Sequence, residues 1–120
     1  FEEVCLQHIS QIKYALHIGA VSSQESSLIV KGSEEADGMQ IDLLIDRADD
    51  AVNVCEMKFY KAPYAVTKGY AQVLNSRLQA LEEKNPAKTF LLTYVGNSEL
   101  VSNEYSDIFR ASVTLDDLFI

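Results

Sequence analysis

The sequence predicts an α/β fold in which helices flank a mixed β-sheet, with the elements in the order α-β-β-β-α-β. Apolar runs of strand length recur along the chain, and one long stretch between two of them has apolar residues at helical spacing. Three successive strands without an intervening helix indicate a meander. The helix that follows them indicates a crossover to the next strand, so the predicted sheet is mixed.

The chain opens in an amphipathic helix, which is predicted over residues 1–16. Its core-facing stripe has spacings of three and four and contains Glu2, Cys5, Ile9, Ile12 and Leu16. Glu2 is therefore expected to point toward the core, whereas Glu3 is turned by about 100° toward a polar flank. Gly19 is the expected helix stop.

The remaining elements follow from apolar runs and turn residues. Strands are predicted at residues 27–31, 39–46 and 51–59, and residues 47–50 have the composition of a hairpin turn. A helix is predicted over residues 64–83, and Asn85-Pro86 ends it. Residues 88–95 predict a buried strand, residues 108–113 a last strand, and Thr114 the cap of a terminal helical turn.

Length and composition predict one domain, residues 1–120, with one core. No apolar run approaches the ~20 residues needed to cross a bilayer, and the first segment is too polar for a signal peptide, so a cytoplasmic location without membrane contact is expected. Cys5 and Cys55 are expected to be small core residues. Because the chain lacks an initiator methionine and opens inside a helix, we expect the natural protein to continue upstream.

The predicted strand 51–59 carries charge where an apolar face is expected. Alternation places Glu56 and Lys58 on the same face as Val52 and Val54. Burying either charge alone costs several kcal/mol. Glu56 and Lys58 must therefore be compensated by one another and by a further group.

Asp42 lies in the preceding apolar run, with thirteen residues between it and Glu56. Two carboxylates and a lysine from adjacent strands are the groups that a divalent-metal phosphodiesterase needs. Asp42 and Glu56 are the candidate ligands of Mg²⁺ or Mn²⁺, with the Met57 carbonyl as a further oxygen, and Lys58 is the candidate for stabilising charge on the phosphate. Glu2 is the candidate third carboxylate.

The motifs Gly-Met-Gln-Ile-Asp42 and Cys-Glu56-Met-Lys58, preceded by a helix with Glu2 and followed by another helix, resemble the PD-(D/E)XK nuclease superfamily. More narrowly, Phe-Glu-Glu-Val-Cys, Gln-Ile-Asp-Leu-Leu-Ile-Asp-Arg-Ala-Asp, Cys-Glu-Met-Lys-Phe and Val-Thr-Leu-Asp-Asp-Leu-Phe resemble the C-terminal domain of certain bacterial AAA-type ATPases. Ile41 stands where the superfamily prefers proline.

This resemblance implies a restriction-endonuclease-like core and Mg²⁺- or Mn²⁺-dependent cleavage of DNA by the C-terminal part of a longer ATPase. Asp42 and Glu56 would bind metal, Lys58 would position water or phosphate, and Glu2 would match the superfamily's helix carboxylate. DNA would be bound directly or through the upstream ATPase domain. The net charge of −8 opposes direct binding, although a bound cation inverts the local charge.

Two alternatives stay open for this site. In the first, the domain is a non-catalytic interaction or regulatory module of the same fold. In the second, Glu56 and Lys58 form a structural ion pair and Asp42 caps a turn. The choice between DNA and RNA and the oligomeric state stay open as well.

Several other residues have both a functional and a plainer interpretation. Lys61 and Lys68, and with them Arg77, are candidate phosphate contacts, but scattered cations on a helix are usually just solvated. Tyrosines near the site either stack on bases or pack in the core, and they are Tyr60, Tyr64 and Tyr70. Asp46 lies ~13 Å along the strand from Asp42, too far to share one metal.

Overall fold

The computed structural model describes residues 2–30, 39–60 and 62–114, and of residues 2–4, 27–30 and 39–41 it describes the backbone alone. Within these ranges the helices are α1 (Glu2–Gln7), α2 (Ile9–Ala15) and α3 (Lys68–Lys84), with a 3₁₀ turn at Ser106–Ile108. The strands are β1 (Ser23–Val30), β2 (Met39–Arg47), β3 (Ala51–Lys58), β4 (Thr89–Gly96) and β5 (Ala111–Thr114). None of the described helices is long and apolar enough to cross a membrane.

The described strands form one mixed sheet in the order β1-β2-β3-β4-β5. The first three form an antiparallel meander, as predicted. β4 is parallel to β3 and is reached through α3, and β5 is parallel to β4. The predicted α/β class and the predicted mixed sheet flanked by helices are confirmed.

The two faces of the sheet are covered by different helices. Beneath α1 and α2 lies a cluster that contains Cys5, Ile12, Ile18, Leu43, Ile45, Cys55, Met57, Val95 and Val113. Beneath α3 lies a second cluster, which contains Val52, Val54, Val66, Ala71, Leu74, Leu81, Leu92, Tyr94 and Phe109. β3 contributes to both clusters and is buried over six consecutive residues, because it lies in the centre of the sheet.

The N-terminal segment differs from the prediction of one continuous helix over residues 1–16. The helix is interrupted at His8, which separates α1 from α2. The predicted stripe from Cys5 onward nevertheless faces the core, because Cys5 and Ile12 are fully buried and Ile9 and Leu16 pack against the same cluster. The hydrophobic periodicity thus persists across the break.

The prediction that Gly19 ends this helix is wrong. α2 ends at Ala15, and His17 takes the left-handed conformation with φ 61°. The Ile18 N–H donates to the Lys13 carbonyl at 2.9 Å, and the His17 N–H donates to the Tyr14 carbonyl at 3.0 Å. This is a Schellman ending, in which the following Ile18 is buried.

α3 begins at Lys68 rather than near Tyr64. The Thr67 hydroxyl accepts a hydrogen bond from the Tyr70 N–H and caps the first turn. Tyr64 is instead extended and forms an isolated parallel bridge with Leu100. The segment after β3 is thereby held beside the segment after β4.

The hairpin turn between β2 and β3 is confirmed. Asp50 has φ 64°, and its N–H donates to the Arg47 carbonyl at 3.3 Å. At the other end of the chain, the predicted strand 108–113 is shorter and later, because residues 106–108 form the 3₁₀ turn before β5. The predicted cap that begins at Thr114 depends on residues 115–120, which lie outside the described residues.

Candidate functional site at a fork in the sheet

β2 and β3 part at one end of their ladder. Their pairing runs from Asp46 opposite Val52 to Leu43 opposite Cys55 and then stops, whereas β2 stays paired with β1 as far as Met39. The gap that opens between β2 and β3 is called the fork. Asp42 and Glu56 are the next residues of the two strands, so the fork begins between these two carboxylates.

An irregularity in β2 coincides with the fork. Ser26 of β1 lies opposite Leu44, but Leu28 lies opposite Ile41, so one residue of β1 spans two residues of β2. Asp42 and Leu43 are those two residues. Such a β-bulge bends the strand and increases its twist, which accounts for the departure of β2 from β3 at this position.

The Asp42 side chain bridges the fork. Its Oδ2 accepts a hydrogen bond of 2.9 Å from the Met57 N–H of β3. Because the N–H and the carbonyl of a strand residue point toward the same edge, the Met57 carbonyl also faces the β2 side. Among the described residues, Asp42 Oδ1 has no hydrogen-bond partner.

Glu56 is a buried acid with two partners from α3. Only 3% of the residue is exposed. Its Oε2 accepts a hydrogen bond from the Tyr70 hydroxyl at 3.2 Å, and its Oε1 lies 3.3 Å from Arg77 Nη1. Burial raises the pKa of the Glu56 carboxyl, and the charge of Asp42 raises it further, while Arg77 and Lys58 act in the opposite direction. The two carboxylates are thus close enough to affect each other.

Lys58 lies on the same sheet face as Glu56, but the structure does not pair the two in an ion pair. The Lys58 ammonium lies 4.5 Å from the centroid of the Tyr70 ring, in a cation–π contact. Arg77 is the ion-pair partner of Glu56. The alternative in which Glu56 and Lys58 form the structural pair is therefore wrong, since the further compensating group on α3 takes that role.

The tyrosines near the site pack on one another. The Tyr64 ring stacks on Tyr94 with a centroid separation of 5.8 Å, meets Tyr60 at 4.8 Å, and meets the edge of Tyr70 at 6.4 Å. Burial raises the pKa of Tyr64 to about 12. Tyr64 and Tyr70 therefore pack in the structure, as the plainer of the two interpretations predicts. Tyr60 contacts Tyr64 but is about half exposed.

The loops beyond the site are fastened to each other. Asn97, which follows β4, accepts from the Tyr60 N–H and donates to the Tyr60 carbonyl, each at 2.7 Å. The Tyr94 hydroxyl donates to the Ser98 carbonyl at 2.6 Å and passes so close to Gly96 that a Cβ there would clash with its oxygen. Glycine at position 96 lets the Tyr94 side chain fold over the end of β4.

The other predicted site residues have different outcomes. The Glu2 side chain and all of Lys61 lie outside the described part of the chain. α1, which carries Glu2, covers the face of the sheet opposite to Glu56. Lys68 is exposed at the start of α3, and Asp46 pairs with Lys88 at 2.8 Å. Within the described residues there is no group of three or more His, Cys, Asp or Glu side chains suited to a metal.

Tyr70 and Arg77 are the site residues that sequence reasoning did not assign to Glu56. A signal was present, because both fall on the helical stripe that contains Leu74 and Leu81, whose side chains are buried. A cation on a core-facing stripe either reaches solvent along its stem or pairs with a buried acid, and Glu56 is such an acid.

The candidate donor atoms at the fork are oxygens, the ligand type that hard divalent cations take. Asp42 and Glu56 offer carboxylate oxygens from neighbouring strands, the Met57 carbonyl faces the same side, and no thiol or imidazole of a described residue joins them. Mg²⁺ is commonly held by one or two carboxylates with waters completing its shell. Each Glu56 oxygen already accepts one hydrogen bond from α3, so a metal at Glu56 would share these oxygens with Tyr70 and Arg77 or displace one of the two.

Comparison with known proteins gives a likeness of fold. No protein-family model matches the chain, and no curated protein matches it. A solved structure described as "Crystal Structure of Protein of Unknown Function AF1548" superposes with a TM-score of 0.60 and 15% sequence identity, over 96% of this chain. This chain covers 64% of that chain. At this identity the likeness supports the mixed α/β architecture and nothing finer.

Proposed function

We propose that this chain is a metal-dependent nuclease domain of the PD-(D/E)XK type, with a restriction-endonuclease-like core, that hydrolyses phosphodiester bonds in DNA. The observation that carries the proposal is the fork, where the bulge in β2 and the hydrogen bond from Met57 hold Asp42 next to Glu56. Lys58 lies two residues beyond Glu56 on the same face. Fork, carboxylates and lysine together supply what the chemistry needs.

Each of these residues has a role in the proposed reaction. Asp42 and Glu56 supply the oxygen ligands, and the Met57 carbonyl adds a neutral one. Mg²⁺ or Mn²⁺ at such ligands supplies polarisation of the phosphate and a more acidic water. The Lys58 ammonium, held over Tyr70, stabilises negative charge that develops on the phosphate. The Tyr70 hydroxyl fixes the orientation of the Glu56 carboxylate.

Cleavage of linear and branched DNA by the purified chain, with Mg²⁺, Mn²⁺ or EDTA, tests this proposal. We expect cleavage with either metal and a loss of about a hundredfold or more in Asp42→Asn and Lys58→Ala. Asp46→Asn is the matched control, because it removes a carboxylate of the same strand that pairs with Lys88. Equal rates in Asp42→Asn and Asp46→Asn would overturn the assignment.

Glu2 and Glu3 provide a second matched pair. If Glu2 is the third carboxylate, Glu2→Gln weakens Mn²⁺ binding while Glu3→Gln leaves it unchanged. The two variants are compared by calorimetry with Mn²⁺. Equal affinities remove Glu2 from the proposed site and leave Asp42 and Glu56 in it.

A second candidate function is a non-catalytic interaction or regulatory module, attached to an AAA-type ATPase. The engagement of both Glu56 oxygens by Tyr70 and Arg77 favours it, because these partners already compensate the buried carboxylate without a metal. This candidate predicts no Mn²⁺ binding at millimolar concentration and no cleavage with either metal. The proposed upstream ATPase would then supply any contact with DNA.

A further inference from the structure

We propose that Arg77 is an internal competitor of the divalent cation, so that its ion pair with Glu56 sets the metal concentration at which the site fills. The inference rests on the proposed function, since it concerns the regulation of that same site. It assigns to Arg77 a role that neither the metal ligands nor Lys58 can take.

Position is the first argument. Arg77 Nη1 lies 3.3 Å from Glu56 Oε1, and Glu56 is one of the two carboxylates that would hold the metal. Glu56 is 3% exposed, and a carboxylate this deeply buried needs a cation beside it. The guanidinium fills that need when no metal is bound.

The Arg77 guanidinium and a divalent cation at Glu56 carry charges of the same sign, so each weakens the binding of the other. A guanidinium and a divalent cation on one carboxylate repel each other at short range and in a poorly hydrated site. By linkage, the free energy with which Arg77 opposes the metal equals that with which the metal opposes Arg77 at Glu56. Removing the guanidinium must therefore raise the affinity for the metal.

The Arg77 side chain can also reach solvent. Its side chain is 25% exposed, whereas that of Glu56 is 4% exposed. A long side chain at the edge of the core can move its charged end into water while its stem stays packed. The Tyr70 hydroxyl remains on Oε2, so Glu56 keeps one fixed oxygen while Arg77 leaves.

The test is calorimetric titration of the full chain with Mn²⁺ alone. Arg77→Gln is expected to bind Mn²⁺ about tenfold more tightly than the parent chain, and Arg77→Lys to be intermediate because its single point charge competes less well. Lys84→Gln is the matched control, because it removes a cation from the same helix about 10 Å along its axis. Its Mn²⁺ affinity should equal that of the parent.

Thermal unfolding gives a readout that does not depend on activity. Without metal, Arg77→Gln should melt at a lower temperature than the parent, and Mn²⁺ should raise its melting temperature by more than it raises that of the parent. If Arg77→Gln does not fold without metal, refolding on addition of Mn²⁺ is the same result, and Arg77→Lys supplies the affinity.

The outcomes separate the two proposals. Mn²⁺ binding by the parent with equal or weaker binding by Arg77→Gln overturns the role of Arg77 and leaves the nuclease proposal standing. A tighter Arg77→Gln with an unchanged Lys84→Gln supports both. Absence of Mn²⁺ binding in the parent and in both Arg77 variants overturns the metal site itself, and the competitor role with it.

Discussion

The two ends of the β2–β3 pair carry the same kinds of charged residue in opposite environments. At the hairpin end, Asp46 pairs with Lys88 at 2.8 Å, and these side chains are 41% and 34% exposed. At the fork end, Glu56 pairs with Arg77 at 3.3 Å and is almost completely buried. The hairpin end is regular and closed by a turn, whereas the fork end is opened by a bulge.

The difference shows that burial, rather than the presence of an ion pair, distinguishes a candidate site from a solvated surface. An exposed pair such as Asp46 and Lys88 stabilises a fold by about 0–1 kcal/mol, because water screens its charges. A buried acid is costly to ionise, and it keeps its charge only while a specific partner stays in place. The fork end can therefore exchange one cation for another, and the hairpin end has little to exchange.

The largest expected effect comes from removing the buried cation. Arg77→Met should lower the free energy of unfolding at pH 7 by about 2 kcal/mol, which is less than the ~3–5 kcal/mol of a fully buried pair because Arg77 reaches solvent. Chemical denaturation of the metal-free protein measures it. A loss below that of the same change at Lys88 would remove the distinction between the two ends.

Replacing the buried acid should alter the pH dependence of stability. The pKa of Glu56 is raised from 4.5, so the folded chain retains its proton where the unfolded chain has lost it. Stability should therefore fall as the pH rises from about 4.5 through the raised pKa, by at most ~1.4 kcal/mol per pH unit for this one group.

In Glu56→Gln this component should vanish, and at pH 7 the variant should be more stable than the parent. Denaturant titrations of both proteins between pH 4 and 8 give the difference curve. Parallel curves for Glu56→Gln and the parent would contradict the raised pKa.

Two substitutions of Asp42 should distinguish the effect of its hydrogen bond on stability from the effect of its charge on metal binding. Asp42→Asn retains an oxygen for the Met57 N–H, so it should fold as stably as the parent while losing Mn²⁺ binding. Asp42→Ala leaves that N–H without its acceptor and should cost about 1–2 kcal/mol. Denaturation of both variants, with calorimetry using Mn²⁺, makes the comparison, and equal stabilities would mean that the Asp42 bond does not hold the fork.

The smallest effect is expected at the hairpin end. Lys88→Met removes the exposed partner of Asp46 and should change the free energy of unfolding by less than about 1 kcal/mol. The change should shrink further at high salt, because screening already weakens this pair. Thermal melts at low and high ionic strength check both statements.

Much of the sheet could be predicted from local patterns. Apolar runs located β2, β3 and β4 to within one residue at each end, and the residues between β2 and β3 indicated the turn. The break at His8 could not be predicted, because the periodic stripe continues across it, and the left-handed ending at His17 lacks the glycine or asparagine that usually marks such an end. β1 begins four residues before the predicted strand. The prediction missed these residues because they are polar, which the position of β1 at the edge of the sheet permits.

Only those features of the candidate site that depend on neighbouring residues of one strand could be predicted from the sequence. Alternation along β3 correctly placed Glu56 and Lys58 on one face, and showed that a further group had to compensate them. Which group it was depends on how α3 lies across the sheet, and the Arg77 contact spans 21 positions in the sequence. The bulge at Asp42 depends on the register between β1 and β2, which no local pattern of β2 contains.

The burial of Cys55 makes its thiol a probe of local opening of the fold. Cys5 and Cys55 lie in the core beneath α1 and α2, and burial raises the pKa of the Cys55 thiol well above its usual range. Because only an exposed thiolate reacts quickly with alkylating reagents, labelling of Cys55 requires the central strand to open. Cys5 reports in the same way on the detachment of α1. The chain thus contains two internal reporters, one for its N-terminal helix and one for its central strand, and their labelling rates need no engineered probe.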